Sequence, residues 1–253
     1  MKNKFKYLIM AVIAVFFVLN ISGYAETLPI PKIGLNIEQT DNPAEVATSV
    51  QILFLLTIIS LAPSILIMMT SFTRIVIVMH FLRSALGTQQ TPPNQVIIGL
   101  SLFLTFFIMA PTITTINETA VEPYVNGQIS QEVAFTRAER PLKDFMLKQT
   151  YEKDLKLFVE ISKEEIEKGN IESIPMNVVI PAFVISELKK GFMIGFLIYI
   201  PFIIIDMVVA STLMAMGMMM LPPSMISMPF KLLLFVVVDG WNLIIGQIVA
   251  SFR

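Results

Sequence analysis

Three ionisable residues, Asp206, Lys231 and Asp239, interrupt otherwise uncharged stretches of this chain. An isolated carboxylate or ammonium in hydrocarbon is costly, so such a residue faces protein or water and takes a partner. If the chain turns back between them, two geometries are open. A turn centred on Pro222 and Pro223 sets Asp206 level with Asp239, a carboxylate dyad suited to acid–base chemistry or proton relay. A turn centred on Met218 and Met219 instead sets Asp206 level with Lys231, an ion pair suited to a structural bridge. The intervening stretch MAMGMMMLPPSMISMP, residues 214–229, gathers seven of the seventeen methionines. Thioethers suit copper(I), and the same soft, unbranched side chains fill irregular gaps. Taken alone, the tract reads first as packing.

Other chemistries narrow quickly. The chain has no Cys, which removes disulfides, thiolate metal sites and a Cys nucleophile, and its single His, His80, argues against a His-based metal site or a Ser–His pair. It has no phosphate-binding Gly-rich loop, no HExxH and no interleaving of basic and aromatic residues. An intramembrane aspartyl enzyme needs a Gly-rich approach to its catalytic Asp; FIIIDMVV has none, and VVVDGWN has Gly only after the Asp. A proton-coupled transporter built on repeated bundles would show an internal repeat, and none is visible. Glu187, Lys189 and Lys190 in AFVISELKKGF read as border charges of an apolar run. The expectation is therefore no catalytic residue, metal or cofactor. Asp206, Lys231, Asp239 and Glu187 are expected to be buried charges holding helices or subunits in register.

The elements that must position these residues are apolar helices. Of 253 residues 55% are hydrophobic and 15% charged, and the mean hydropathy is +0.75; ordinary soluble domains carry roughly 25% charged residues. A net charge of -1 gives no reason to expect nucleic acid. Residues 1–25 have the layout of a signal peptide: Lys2, Lys4 and Lys6, an apolar run, then Gly23 and Ala25 before a cleavage point after Ala25. Residues 26–49 form a polar periplasmic tether broken by Pro29, Pro31 and Pro43. Two uncharged runs, 50–73 and 96–116, make a first helical hairpin over 50–116, kinked at Pro63. Residues 117–172 hold 20 of the 37 charges, with apolar residues at helical spacing. They predict a charged helical segment outside the membrane, 117–182, packed on its neighbours. A second hairpin, 183–253, carries the Met-rich loop at its apex. The fold class is thus all-α membrane protein with about four long apolar helices. The positive-inside rule sets Arg74 and Arg83 in a cytoplasmic turn and 117–172 in the periplasm, with Lys189 and Lys190 against the rule.

Four stretches resemble the FliP family of flagellar biosynthetic proteins: MTSFTRIVIVMHFLRSALGTQQTPPNQV at 69–96, PAFVISELKKGFMIGF at 181–196, IDMVVASTLMAMGMMMLPP at 205–223 and PFKLLLFVVVDGW at 229–241. Met193 departs from the pattern, which usually has a polar or charged residue there. The resemblance implies a pore subunit of a flagellar type III export gate in the bacterial inner membrane, within the flagellar basal body; injectisomes carry a related subunit. It also implies five copies assembled with FliQ-like and FliR-like subunits and partly raised toward the periplasm. FlhA-like and FlhB-like export components and unfolded export substrates complete the implied partners. Met218, Met219 and Met220 match the family's methionine gasket, which narrows the pore beside the Pro222–Pro223 turn.

Overall fold

The computed structural model describes residues 43–88, 90–162, 173–218 and 220–252; the signal-peptide expectation, residues 26–42 of the tether, and Met219 lie outside them. Every regular element among the described residues is helical. The uncharged run 50–73 is not one helix. Helix α1 (Pro43–Met68) ends four residues before α2 (Phe72–Ala85) begins, although neither Pro nor Gly marks the break. Helix α3 (Asn94–Ile116) continues through a π turn (Asn117–Val121) and a last α turn (Glu122–Val125). The charged segment supplies α4 (Gln131–Gln149) and α5 (Glu152–Ser162). Helix α6 (Met176–Ala215) is a single helix of 40 residues, so the expected boundary at 182/183 falls inside it. The last arm is broken into α7 (Pro223–Val237) and α8 (Gly240–Ala250).

Among the described residues two helices are long and apolar enough to cross a membrane, Asn94–Val125 and Met176–Ala215, and the bent pair α7–α8 makes a third if counted as one span. Residues from Leu53 onward form one unit, and Pro43–Ile52 are the opening turns of α1 in another.

The core gathers around α2. Its Ile75, Val78, Met79 and Leu82 are buried together with Ile97 of α3, Phe202 of α6, Phe235 of α7 and Ile244 and Ile248 of α8. Neighbours on several sides thus cover its apolar residues. At its far end Arg83 donates to Asn94 Oδ1 at 2.5 Å and to His80 Nδ1 at 3.0 Å. Partial burial, then the Arg83 cation, lower the His80 pKa. A second cluster joins Met69, Met146, Ile174, Val178, Val179 and Phe183. Leu142, Phe145, Leu155 and Phe158 of α4 and α5 pack against it, so the helical spacing read in the charged segment is used to dock it on α6.

Helices α2 and α6 run parallel: contacts pair Arg74 with Glu187, Ile77 with Gly191 and Phe81 with Gly195. Small residues four apart let two helix backbones approach closely, and GFMIG at 191–195 is such a pair. A Cβ at Gly195 would lie 2.5 Å from Phe81 Cγ, and one at Gly191 3.1 Å from Ile77 Cγ2. Gly195→Val is accordingly expected to lose about 1–3 kcal/mol through overpacking. Melting of the detergent-extracted protein checks this, with partial recovery expected when Phe81→Ala is added; no recovery would show that the strain lies elsewhere.

Candidate functional site

The Met-rich apex is closed by backbone chemistry at both ends. Gly217 has φ 75° and ends α6 in a Schellman motif, its N–H donating to Met214 O and that of Met218 to Leu213 O, each at 3.0 Å. On the other side Pro222 precedes Pro223 at the first turn of α7, where a missing N–H costs nothing. The described part of the loop leaves Met220 98% exposed and Met218 41% exposed. Met214, Met216 and Met225 are exposed as well. They do not pack within the chain as ordinary helix residues would, so the apolar thioether surface extends onto both helix ends.

Below the apex, α6 and α7 are joined by one polar group. Lys231, buried on α7, donates from Nζ to Asp206 Oδ2 at 2.6 Å, and buried Ser227, one turn earlier, donates from Oγ to Oδ1 at 2.5 Å. The Asp206 side chain keeps about a third of its surface exposed. The loop between Ala215 and Pro223 is centred on residue 219, which places Asp206 opposite Lys231. The dyad geometry is thereby excluded within the chain. Among the described residues Asp239 is paired with no other helix of this chain. It is exposed at the α7–α8 break, where its carboxylate accepts from Asn242 Nδ2 at 3.3 Å.

The fourth expected charge, Glu187, is fully buried and belongs to a larger cluster. Arg74 Nε donates to Glu187 Oε2 at 2.9 Å and its Nη2 to Oε1, making a two-point contact. The same guanidinium donates to Gln149 Oε1 at 2.9 Å and to Ser251 O and Oγ at 2.8 and 3.0 Å. Its Cζ lies 3.7 Å from the centre of the Phe252 ring. Lys190 Nζ donates to Gln149 O at 2.6 Å, and Gln149 Nε2 to Phe252 O at 3.0 Å. Beside this cluster Lys189 and Ser186 donate to Asp154 of α5, Ser186 at 2.8 Å. Burial raises the Asp154 pKa, but those bonds and the lysine charge outweigh it and hold the carboxyl below the usual range.

This cluster corrects the four-span topology. Arg74 was expected in the cytoplasm and Gln149 in the periplasm, yet they are hydrogen-bonded. Lys189 and Lys190, misplaced under the positive-inside reading, serve as anchors for α4 and α5. Arg74 was the functional residue missed; the available signal was one long cation in the first turn of a helix that is then apolar as far as His80. Chemically, both ionic groups neutralise and brace. Among the described residues no three His, Cys, Asp or Glu side chains gather in a way that could hold a metal.

Comparison with known proteins converges on one group. The FliP family model matches residues 55–248. "Flagellar biosynthetic protein FliP" of Bacillus subtilis (strain 168) is 57% identical over 218 residues, covering 86% of this chain and 98% of that protein. The protein of that name from Pectobacterium carotovorum subsp. carotovorum is 55% identical over 204 residues, covering 81% and 79%. That of Aquifex aeolicus (strain VF5) is 52% identical over 227 residues, covering 88% and 92%.

Proposed function

The chain belongs to the FliP family, and on that premise we propose that it lines the conduit of the flagellar export gate and seals it with its methionine loop. It is a structural component of the flagellar type III export apparatus, built of membrane-type helices. The observation that carries the seal is Met220, 98% exposed at the tip of a loop bracketed by a left-handed Gly217 and by Pro222. A rigid frame carrying side chains with three rotatable bonds can close around irregular partners, and apolar constrictions also exclude water and ions. Met218, Met219 and Met220 together would form this gasket, and unfolded export substrates would pass through it.

Copies of this chain and FliQ-like and FliR-like subunits are the proposed neighbours, with FlhA-like and FlhB-like components beyond them. The exposed apolar side chains of α6 and α7, among them Phe192, Phe196, Leu233, Val236 and Val237, call for such cover. An apolar cleft of about 640 Å³ on the inner side of the α7–α8 bend gives that surface a concave part. The complex is placed in the bacterial inner membrane at the flagellar basal body, after signal-peptide cleavage at Ala25. The ion pairs Asp206–Lys231 and Arg74–Glu187 brace the helices behind the loop rather than turn over substrate.

Replacing Met218, Met219 and Met220 together with Ala is expected to raise leakage of ions and small solutes several-fold while part of the export persists. Replacing all three with Leu, which keeps the volume, should leak far less. Ion-flux measurement in cells expressing the full gate tests both, and unchanged leakage in the Ala variant sinks the seal.

A further inference from the structure

We infer that Asp239 works through its backbone rather than its charge: it is the left-handed pivot that sets the bend between α7 and α8 and so delivers Ser251 and Phe252 to Arg74. The two helices meet at 67°. Between them Val238 is near φ -88°, ψ 7° and Asp239 at φ 50°, ψ 52°. Among the described residues Asp239 alone combines a side chain with positive φ. That conformation drives Cβ toward the following carbonyl; Gly avoids the clash, and Asn and Asp tolerate it.

The carboxylate has little else to do within the chain. It is exposed, makes no capping bond at the start of α8, and accepts one long bond from Asn242. Lys231, the buried cation of α7, is taken by Asp206. The next residue completes the corner. A Cβ on Gly240 would stand 2.3 Å from the Phe235 ring, and Phe235 in turn meets Trp241 edge-on with centroids 5.3 Å apart. The chain therefore bends sharply over an aromatic side chain, a path that needs both a left-handed residue and a glycine.

The bend has a reach. An eleven-residue helix such as α8 is about 16 Å long, so turning it through 67° moves its far end by about 18 Å. With the bend in place, Ile244 and Ile248 enter the core, Ser251 accepts two bonds from Arg74, and Phe252 lies under the guanidinium. A straight α7–α8 would carry all four away.

The 253-residue chain has no cysteine, so Phe230→Cys and Gly246→Cys can take spin labels on either side of the bend. Phe230 is exposed and Gly246 has open space for a side chain. In the assembled gate, Asp239→Asn and Asp239→Gly are expected to keep the native label spacing and to export within about twofold of the parent, since both tolerate the left-handed region. Asp239→Ala and Asp239→Glu are expected to widen the spacing by about 4 Å as the helix straightens, or to lose the assembled gate, with export falling in parallel. Asp239→Glu keeps the charge and Asp239→Gly removes it, so the pair separates the two roles. Export retained by Glu but lost in Asn and Gly overturns the inference in favour of the carboxylate. A native spacing in the Ala variant overturns it as well.

Discussion

Arg74→Ala is expected to cost about 3–5 kcal/mol, because it strands a carboxylate that has no access to water. Glu187 is 0% exposed and takes two bonds from this one guanidinium. Gln149 and Ser251 lose donors at the same time, and the Phe252 ring loses the cation above it. Arg74→Lys should rescue little, since an ammonium cannot reproduce the planar fork that reaches three elements at once. The double change Arg74→Met with Glu187→Met should recover much of the loss, because an apolar pair avoids desolvating two charges. Thermal unfolding of the extracted protein, completed as a double-mutant cycle, reads all three. Additive losses in the double variant would show that the two side chains do not act as a pair.

At the Asp206–Lys231 pair the two partners are expected to differ. Asp206→Asn leaves an ammonium that is 3% exposed, and the expected loss is again about 3–5 kcal/mol. Lys231→Met leaves a carboxylate that is a third exposed and still held by Ser227. Its loss should be smaller, about 1–3 kcal/mol, in the range of one charged hydrogen bond. The amount of correctly sized gate complex on native gels, read beside export of a reporter substrate, measures the asymmetry. If Lys231→Met proved the more damaging, the exposed edge of Asp206 would have to be covered by another subunit.

Much of the architecture was legible because hydropathy and periodicity carry it. The all-helical class, the docking face of the charged segment and the hairpin beneath the Met-rich tract all follow from the spacing of apolar residues. The apex was narrowed to two geometries, and the choice between them depended on where α6 stops. Gly217 holds that stop, but a single Gly among methionines is a weak signal until its left-handed conformation is seen. The α1–α2 break left no mark, because residues 69–71 contain neither Gly nor Pro and tertiary packing decides it. Arg74 was misplaced for a related reason: charge at the edge of an apolar run reads as interface, and only the partners reveal a core residue. Those partners lie 113, 75 and 177 residues away. The close approach at Gly191 and Gly195 was present as a short small-residue pattern and was overlooked beside the lysines that precede it. Asp239 was recognised for its charge, while its backbone angle has no signature beyond the glycine that follows.

The Arg74 cluster also imposes a timetable on folding. Its first polar partner in the sequence arrives 75 residues later, the carboxylate 113 residues later and the last oxygen acceptors 177 residues later. Contacts this distant close late, because the loops between them carry a large entropy cost. A chain emerging from the ribosome therefore carries the guanidinium without its carboxylate until Glu187 has been made, and without its last oxygen acceptors until Ser251 has. The polar cluster that ties α2 to α4, α6 and the residues after α8 is on this account among the last contacts to close.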